Sequence, residues 1–130
     1  MKLNAFIGLP YSPKGRSRQG VDCWGLVRLF YLEIFKIDLP SYLMEYSSSE
    51  NRSSVADAVR NNLPDWTQVD TIKFGDLLVF NILGFPCHTG VSLNGNDFLH
   101  SFMNTNSCIE RLNSITWSRR LHGIYRWQKI

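Results

Sequence analysis

The sequence predicts an α+β domain in which helices come first and an antiparallel sheet of about five strands follows. Three observations carry that prediction. Cys23, Leu26, Val27, Phe30, Ile34 and Phe35 recur three or four apart, the spacing that lines one face of a helix. Leu77-Leu78-Val79-Phe80-Asn81-Ile82 is an apolar run too short for a helix and suited to a central strand. His88–Leu93 and Phe98–Met103 flank Asn94-Gly95-Asn96-Asp97, residues that favour a tight hairpin.

The remaining elements follow in chain order. Gly8, Pro10, Pro13, Gly15 and Gly20 punctuate the first twenty residues, which read as loop with a short initial helix. Asp22 is placed to cap the first helix, and Pro40 closes the segment a few residues after its end. Ser47–Arg52 is a polar loop. Ser54 and Asp57 resemble a capping box opening a second helix, along which Val55, Val59 and Leu63 repeat until Pro64 stops it. Gly75-Asp76 leads into the central strand, and Cys108–Leu112 and His122–Trp127 supply the last two strands. At 130 residues, 44% hydrophobic and 19% charged, the chain has apolar material for one core, so residues 1–130 are expected to form a single domain.

Composition narrows the function. Eight Phe, five Tyr and four Trp exclude a disordered tail. No apolar run approaches the roughly 18 residues that span a bilayer, and no membrane partner is expected. Residues 1–20 carry four bases and no acid, and residues 111–130 carry five bases and no acid, around an acidic middle. Without a denser basic stripe or a groove-reading motif, this does not make a nucleic-acid binder. The start of the chain lacks a signal-peptide apolar core, which predicts synthesis in the cytoplasm without a signal peptide. Three cysteines, Cys23, Cys87 and Cys108, are an odd count that argues against a disulfide framework. They and His88, His100 and His122 make no Cys-x-x-Cys or His-x-x-x-His pairing, so neither a metal nor another cofactor is expected.

The candidate chemistry is nucleophilic. Cys23 falls in the first turn of the predicted helix, where free N–H groups and the helix dipole favour a thiolate and can hold an oxyanion. Gly25 is expected to keep that helix start open to a substrate. A nucleophilic Cys needs a base, and the base an orienting partner. His88 and His100 flank the hairpin turn. Partner numbers across an antiparallel hairpin add to a constant, so a two-residue Asn94-Gly95 turn would put the histidines on opposite faces. A three-residue Asn94-Gly95-Asn96 loop, or a bulge, puts both on one face. His122, Cys87 and Cys108 read as structural, with Cys87 beside His88 a second thiol near the site.

Three segments in order resemble one family. They are Asp22-Cys23-Trp24-Gly25-Leu26-Val27, Gly75-Asp76-Leu77-Leu78-Val79-Phe80, and His88-Thr89-Gly90-Val91-Ser92-Leu93 running to Phe98-Leu99-His100. They resemble the NlpC family of papain-like cysteine peptidases, which hydrolyse stem peptides of bacterial cell walls. The resemblance implies a papain-like fold, Cys23 as nucleophile, His88 as general base and His100 as the residue that orients it. It also implies that Tyr11 lines the site near the nucleophile, with Asp22 and Trp24 as substrate-facing neighbours. The implied substrate is a cell-wall peptide cut between D-glutamate and a diamino acid. An amidase or acyltransferase on the same fold, and a structural tail component that retains the fold, are the alternatives.

Trp24 stands where most members have Ser, and Lys14-Gly15 replaces a Gly-Gly pair. With the Trp117…Arg120…Gly123…Tyr125-Arg126 ending, these features look like members associated with bacteriophage tails and prophages. Action at the wall as part of a tail, with other tail proteins as partners, is the corresponding expectation. Lys14–Arg18 runs into the nucleophile, so Arg16 or Arg18 is expected to capture substrate carboxylates.

Overall fold

The computed structural model describes residues 3–127. The periodic stretch after Asp22 forms α1 (Cys23–Phe30), continued by a π-helical turn over Tyr31–Phe35 and ended by Lys36 in the left-handed conformation. Asp22 is the N-cap: its Oδ1 accepts the Gly25 N–H at 2.8 Å. Leu26, Val27, Phe30 and Tyr31 are fully buried along the apolar face. The second helix, α2 (Arg52–Asn62), starts earlier than expected. Asn51 rather than Ser54 caps it, its side chain accepting the Ser54 N–H at 3.1 Å. Asn caps as well as Ser does, and here it lies closer to the helix start.

Two short strands, β1 (Arg16–Ser17) and β2 (Gly20–Val21), pair as a small hairpin before α1. The main sheet has six antiparallel strands: β3 (Trp66–Val69), β4 (Leu77–Ile82), β5 (Phe85–Ser92), β6 (Asp97–His100), β7 (Cys108–Arg111) and β8 (Leu121–Trp127). Their spatial order is β3-β8-β4-β5-β6-β7. The strand beyond the expected five is β3, an edge strand that buries only Trp66 and so lacks a readable alternation. A one-turn helix, α3 (Ile115–Ser118), capped by Ser114, precedes β8. Among the described residues no helix is long and apolar enough to cross a membrane.

The strand alternation divides the interior in two. Leu77, Val79, Val91 and Leu99 pack with Leu26, Val27 and Phe30 of α1, while Leu78, Phe80 and Phe98 pack with Trp117 and with Ala56 of α2. Both helices lie against β5, the strand that carries His88. The Gly75-Asp76 pair fixes where β4 begins. Gly75 has φ 87°, and a Cβ there would stand 2.4 Å from the Phe35 ring. Buried Asp76 accepts the Lys73 N–H at 2.7 Å and two bonds from Arg126 of β8, at 2.9 and 2.8 Å.

Gly25 has another role than the expected one. A Cβ at this position would lie 2.0 Å from the Gly15 carbonyl oxygen, so the glycine lets α1 press against the β1 loop and does not open the helix to a substrate. Gly25→Ala is therefore expected to cost about 1–3 kcal/mol of stability from overpacking. Urea unfolding checks this, and an unchanged midpoint would contradict the close approach.

Candidate active site

The hairpin between β5 and β6 pairs Gly90 with His100, Val91 with Leu99 and Ser92 with Phe98. Leu93 N–H donates to the Asp97 carbonyl at 2.8 Å, closing a three-residue Asn94-Gly95-Asn96 loop with Gly95 at φ 65°. This odd-length loop puts His88 and His100 on one face as diagonal neighbours, and His88 Nε2 lies 2.8 Å from His100 Nδ1. The other His100 nitrogen, Nε2, lies 2.5 Å from Glu110 Oε2 on β7.

Glu110 fixes the protons along this chain. A carboxylate only accepts, so His100 Nε2 carries a hydrogen and His100 Nδ1 becomes an acceptor. His88 Nε2 must then donate, which leaves the lone pair of neutral His88 on Nδ1. That nitrogen makes no hydrogen bond among the described residues. Sequence reading missed Glu110. Its signal is the register of β6 and β7, which pairs Phe98 with Glu110 and His100 with Cys108, but the intervening Ser101–Ser107 segment is too irregular to reveal that register.

Cys23 opens α1 and lines one cleft with His88, Tyr11, Asp22, Trp24 and Thr89. Its Sγ sits 4.0 Å from the Cys87 carbonyl oxygen, and no hydrogen bond joins it to His88 among the described residues. The two histidines are therefore assembled with each other, while Cys23 and His88 share a cleft without a hydrogen bond between them. Burial, reinforced by the Asp22 carboxylate, pushes the Cys23 thiol up to about 12, against the influence of Thr89. Burial and the neighbouring carboxylate thus work against the lowering expected from the helix start. Burial, then His100 and Arg120, hold His88 well below the ordinary histidine range. Burial also lowers His100, against the pull of Glu110. The resting pair is thus neutral thiol and neutral imidazole.

The other expected site residues separate clearly. Tyr11 lines the cleft and bridges to Val21, and burial raises its hydroxyl to about 12. Trp24 also lines it, donating its indole N–H to Pro40 O at 2.9 Å and stacking near Tyr42. Asp22 reaches the cleft, but its oxygens are taken by Gly25 N–H, Arg16, Tyr46 and Ser49. Arg16 is not available to a substrate. Its guanidinium bonds Asp22 at 2.7 Å, the Ser41 and Gly15 carbonyls, and Tyr46 Oη. Arg18 lies outside the cleft, bonded to Ala5 O and Glu33. Both arginines, expected to capture carboxylates, instead bond to the protein's own backbone and side chains. His122 is exposed, Cys87 is buried and Cys108 is half-buried. Among the described residues, the ligand atoms of His100, Cys108 and Glu110 converge within 4.8 Å and could hold a metal, but the His100–Glu110 bond already satisfies that nitrogen.

Residues 8–126 match the NlpC/P60 family. The chain belongs to that family. It is 28% identical over 119 residues to the murein DD-endopeptidase MepS/murein LD-carboxypeptidase of Escherichia coli, covering 92% of this chain and 56% of that protein. The chain thus spans about half the length of the curated relatives it matches. Among solved structures, it resembles the NlpC/p60 domain of the peptidoglycan hydrolase SagA (TM-score 0.63, 20% identity, 93% of this chain and 89% of that one). It also resembles an NlpC/P60 family protein of Bacillus cereus (TM-score 0.66, 23% identity, 94% and 36%). These likenesses place the fold.

Two measurements follow from the electrostatics. In a Cys87→Ser, Cys108→Ser background, alkylation of Cys23 by iodoacetamide is expected to keep rising beyond pH 9; a plateau near pH 8 would contradict the raised thiol. His88 and His100 bind protons more readily unfolded than folded, so their contribution is present above pH 6.5 and is lost as pH falls below it. The urea midpoint is expected to drop between pH 7.5 and 5.5, with a slope of up to about 1.4 kcal/mol per pH unit for each histidine.

Proposed function

We propose that this chain is a cysteine peptidase that hydrolyses peptide bonds in the stem peptides of bacterial peptidoglycan. The observation that carries this reading is the hydrogen-bonded line Glu110–His100–His88, which leaves an imidazole lone pair in the cleft that holds the Cys23 thiol. Family membership and the murein-cleaving name of the Escherichia coli relative supply the substrate class.

The mechanism starts from the neutral pair. Substrate enters the cleft, the Cys23 proton passes to His88 Nδ1, and Sγ attacks the scissile carbonyl. The first intrahelical bond of α1 runs from Leu26 N–H to Asp22 O at 3.0 Å, and Asp22 Oδ1 takes the Gly25 N–H. The N–H groups of Cys23 and Trp24 precede these and are positioned to hold the oxyanion. His88 returns its proton to the leaving amine as the C–N bond breaks, giving the acyl-thioester. Water then attacks the thioester with His88 again as base, releasing the new carboxylate and restoring the thiol. His100 and Glu110 keep His88 in the tautomer that can accept at Nδ1.

The bond we assign is that between D-glutamate and the diamino acid. We also assign a phage-tail or prophage association. Trp24, the Lys14-Gly15 pair and the Trp117–Arg126 ending support it, and it would place the activity at the wall with tail proteins as partners.

Purified peptidoglycan and defined stem peptides, digested by wild type and Cys23→Ala in parallel and read by mass spectrometry, test the reading. Wild type is expected to yield a peptide cut after D-glutamate that Cys23→Ala does not make. Cleavage at another bond would overturn the bond assignment, and no product from folded, reduced protein would move the reading to a structural tail component. Glu110→Gln can donate to His100 and reverse the tautomers, so turnover is expected to fall about 10- to 100-fold with the thermal midpoint little changed. Full activity in that variant would remove Glu110 from the site.

A further inference from the structure

The cleft that holds Cys23 is lined mostly by apolar and aromatic side chains, and its charges are unequal in their partners. Only two lining residues carry a formal charge, Asp22 and Arg52. Asp22 is neutralised by Arg16 at 2.7 Å and by hydroxyl donors from Tyr46 and Ser49. Arg52 has no such answer. Among the described residues its guanidinium makes no hydrogen bond and no ion pair, and its Nε is buried with no acceptor. The hydroxyl of Tyr42, on the same cleft, is also buried without a partner.

Arg52 is half-buried, and its buried Nε–H is a donor without an acceptor, which is costly unless a ligand supplies one. Arg52 opens α2, where the helix dipole is also unfavourable for a cation, so its position gains nothing from the helix. Its charge reaches the Cys87 thiol, which it holds below the value that burial alone would give. Arg52 and Cys87, the residue preceding His88, line the same cleft, and α2 packs on β5. Its fork of donors matches a planar carboxylate, which can take two of them together.

We infer that Arg52 is a carboxylate-binding residue of this cleft, anchoring a free acid of the peptide substrate. The inference deepens the proposed peptidase reading and rests on it for the peptide class. It transfers to Arg52 the task expected of Arg16 and Arg18, whose donors are spent on the protein. Arg52 acts on substrate binding and discrimination, while the proton chain through His88 is unaffected by it.

The test compares a stem peptide carrying a free carboxylate with the same peptide amidated at that group. With wild type, kcat/KM for the acid is expected to exceed that for the amide by at least 10-fold, chiefly through KM. In Arg52→Gln the ratio is expected to fall to near one, and Arg52→Lys, which keeps the charge without the fork, to lie between. An acid-to-amide ratio that survives in Arg52→Gln overturns the inference, as does wild type showing no preference at any carboxylate position. Circular dichroism melting of each variant identifies any that fail to fold, and the wild-type comparison stands without them. Calorimetric binding of the same two peptides to Cys23→Ala, with and without Arg52→Gln, reads recognition without turnover. Arg52-dependent binding of the acid with no hydrolysis by wild type would sink the peptidase reading and keep this one; hydrolysis indifferent to Arg52 would do the reverse.

Discussion

The carboxylate of Asp22 is the interaction on which the site depends. It is buried, and burying it is tolerable only because its oxygens accept from four donors: the Gly25 N–H, Arg16, Tyr46 and Ser49. Those donors come from the start of α1, from β1 and from the loop between the two helices. One side chain therefore starts the helix that presents Cys23 and draws together the loops that form that side of the cleft. Arg16 extends the network to the Ser41 and Gly15 carbonyls. The same negative charge raises the Cys23 thiol, so the architecture that positions the sulfur also favours its protonated form.

The two histidines are held differently. His88 and His100 pack among Phe80, Phe98, Phe102 and Trp117, which exclude water and favour the uncharged rings. An uncharged histidine serves as a base only if its lone pair is on the correct nitrogen, and Glu110 determines that from two bonds away. The carboxylate at the end of the line is half-exposed, while the rings it orders are buried.

Much of this was legible because it is local. The cap at Asp22, the helical spacing after it and the parity of the two histidines are decided within a few residues, and the structure has each of them. What was illegible depends on long-range contacts. Arg16 and Arg18 carry the right charge beside the right cysteine, but only the fold reveals that Ser41, Tyr46, Ala5 and Glu33 occupy them. Glu110 and Arg52 come from segments whose registry with the site no periodicity encodes. Gly25 looked like an opening and is a close contact, because Gly15 reaches it through a hairpin too short to recognise. Lys14 is a related case. It holds a left-handed backbone (φ 57°) where the resemblance implies Gly, and its Nζ bonds the Leu43 carbonyl at 2.8 Å, near the Tyr46 ring, so side-chain contacts offset the strain.

The position of β8 bears on how the chain reaches this state. It is the last described strand, yet it lies between β3 and β4, with Asp76 waiting for Arg126. During synthesis from the ribosome, the β4–β5–β6 hairpins that carry both histidines can form early, while β3 and one side of β4 keep bare edges until β8 emerges. Bare edges invite pairing with a neighbouring chain. The sheet is therefore most open to such pairing in the interval after the histidine-bearing hairpin exists and before β8 closes it.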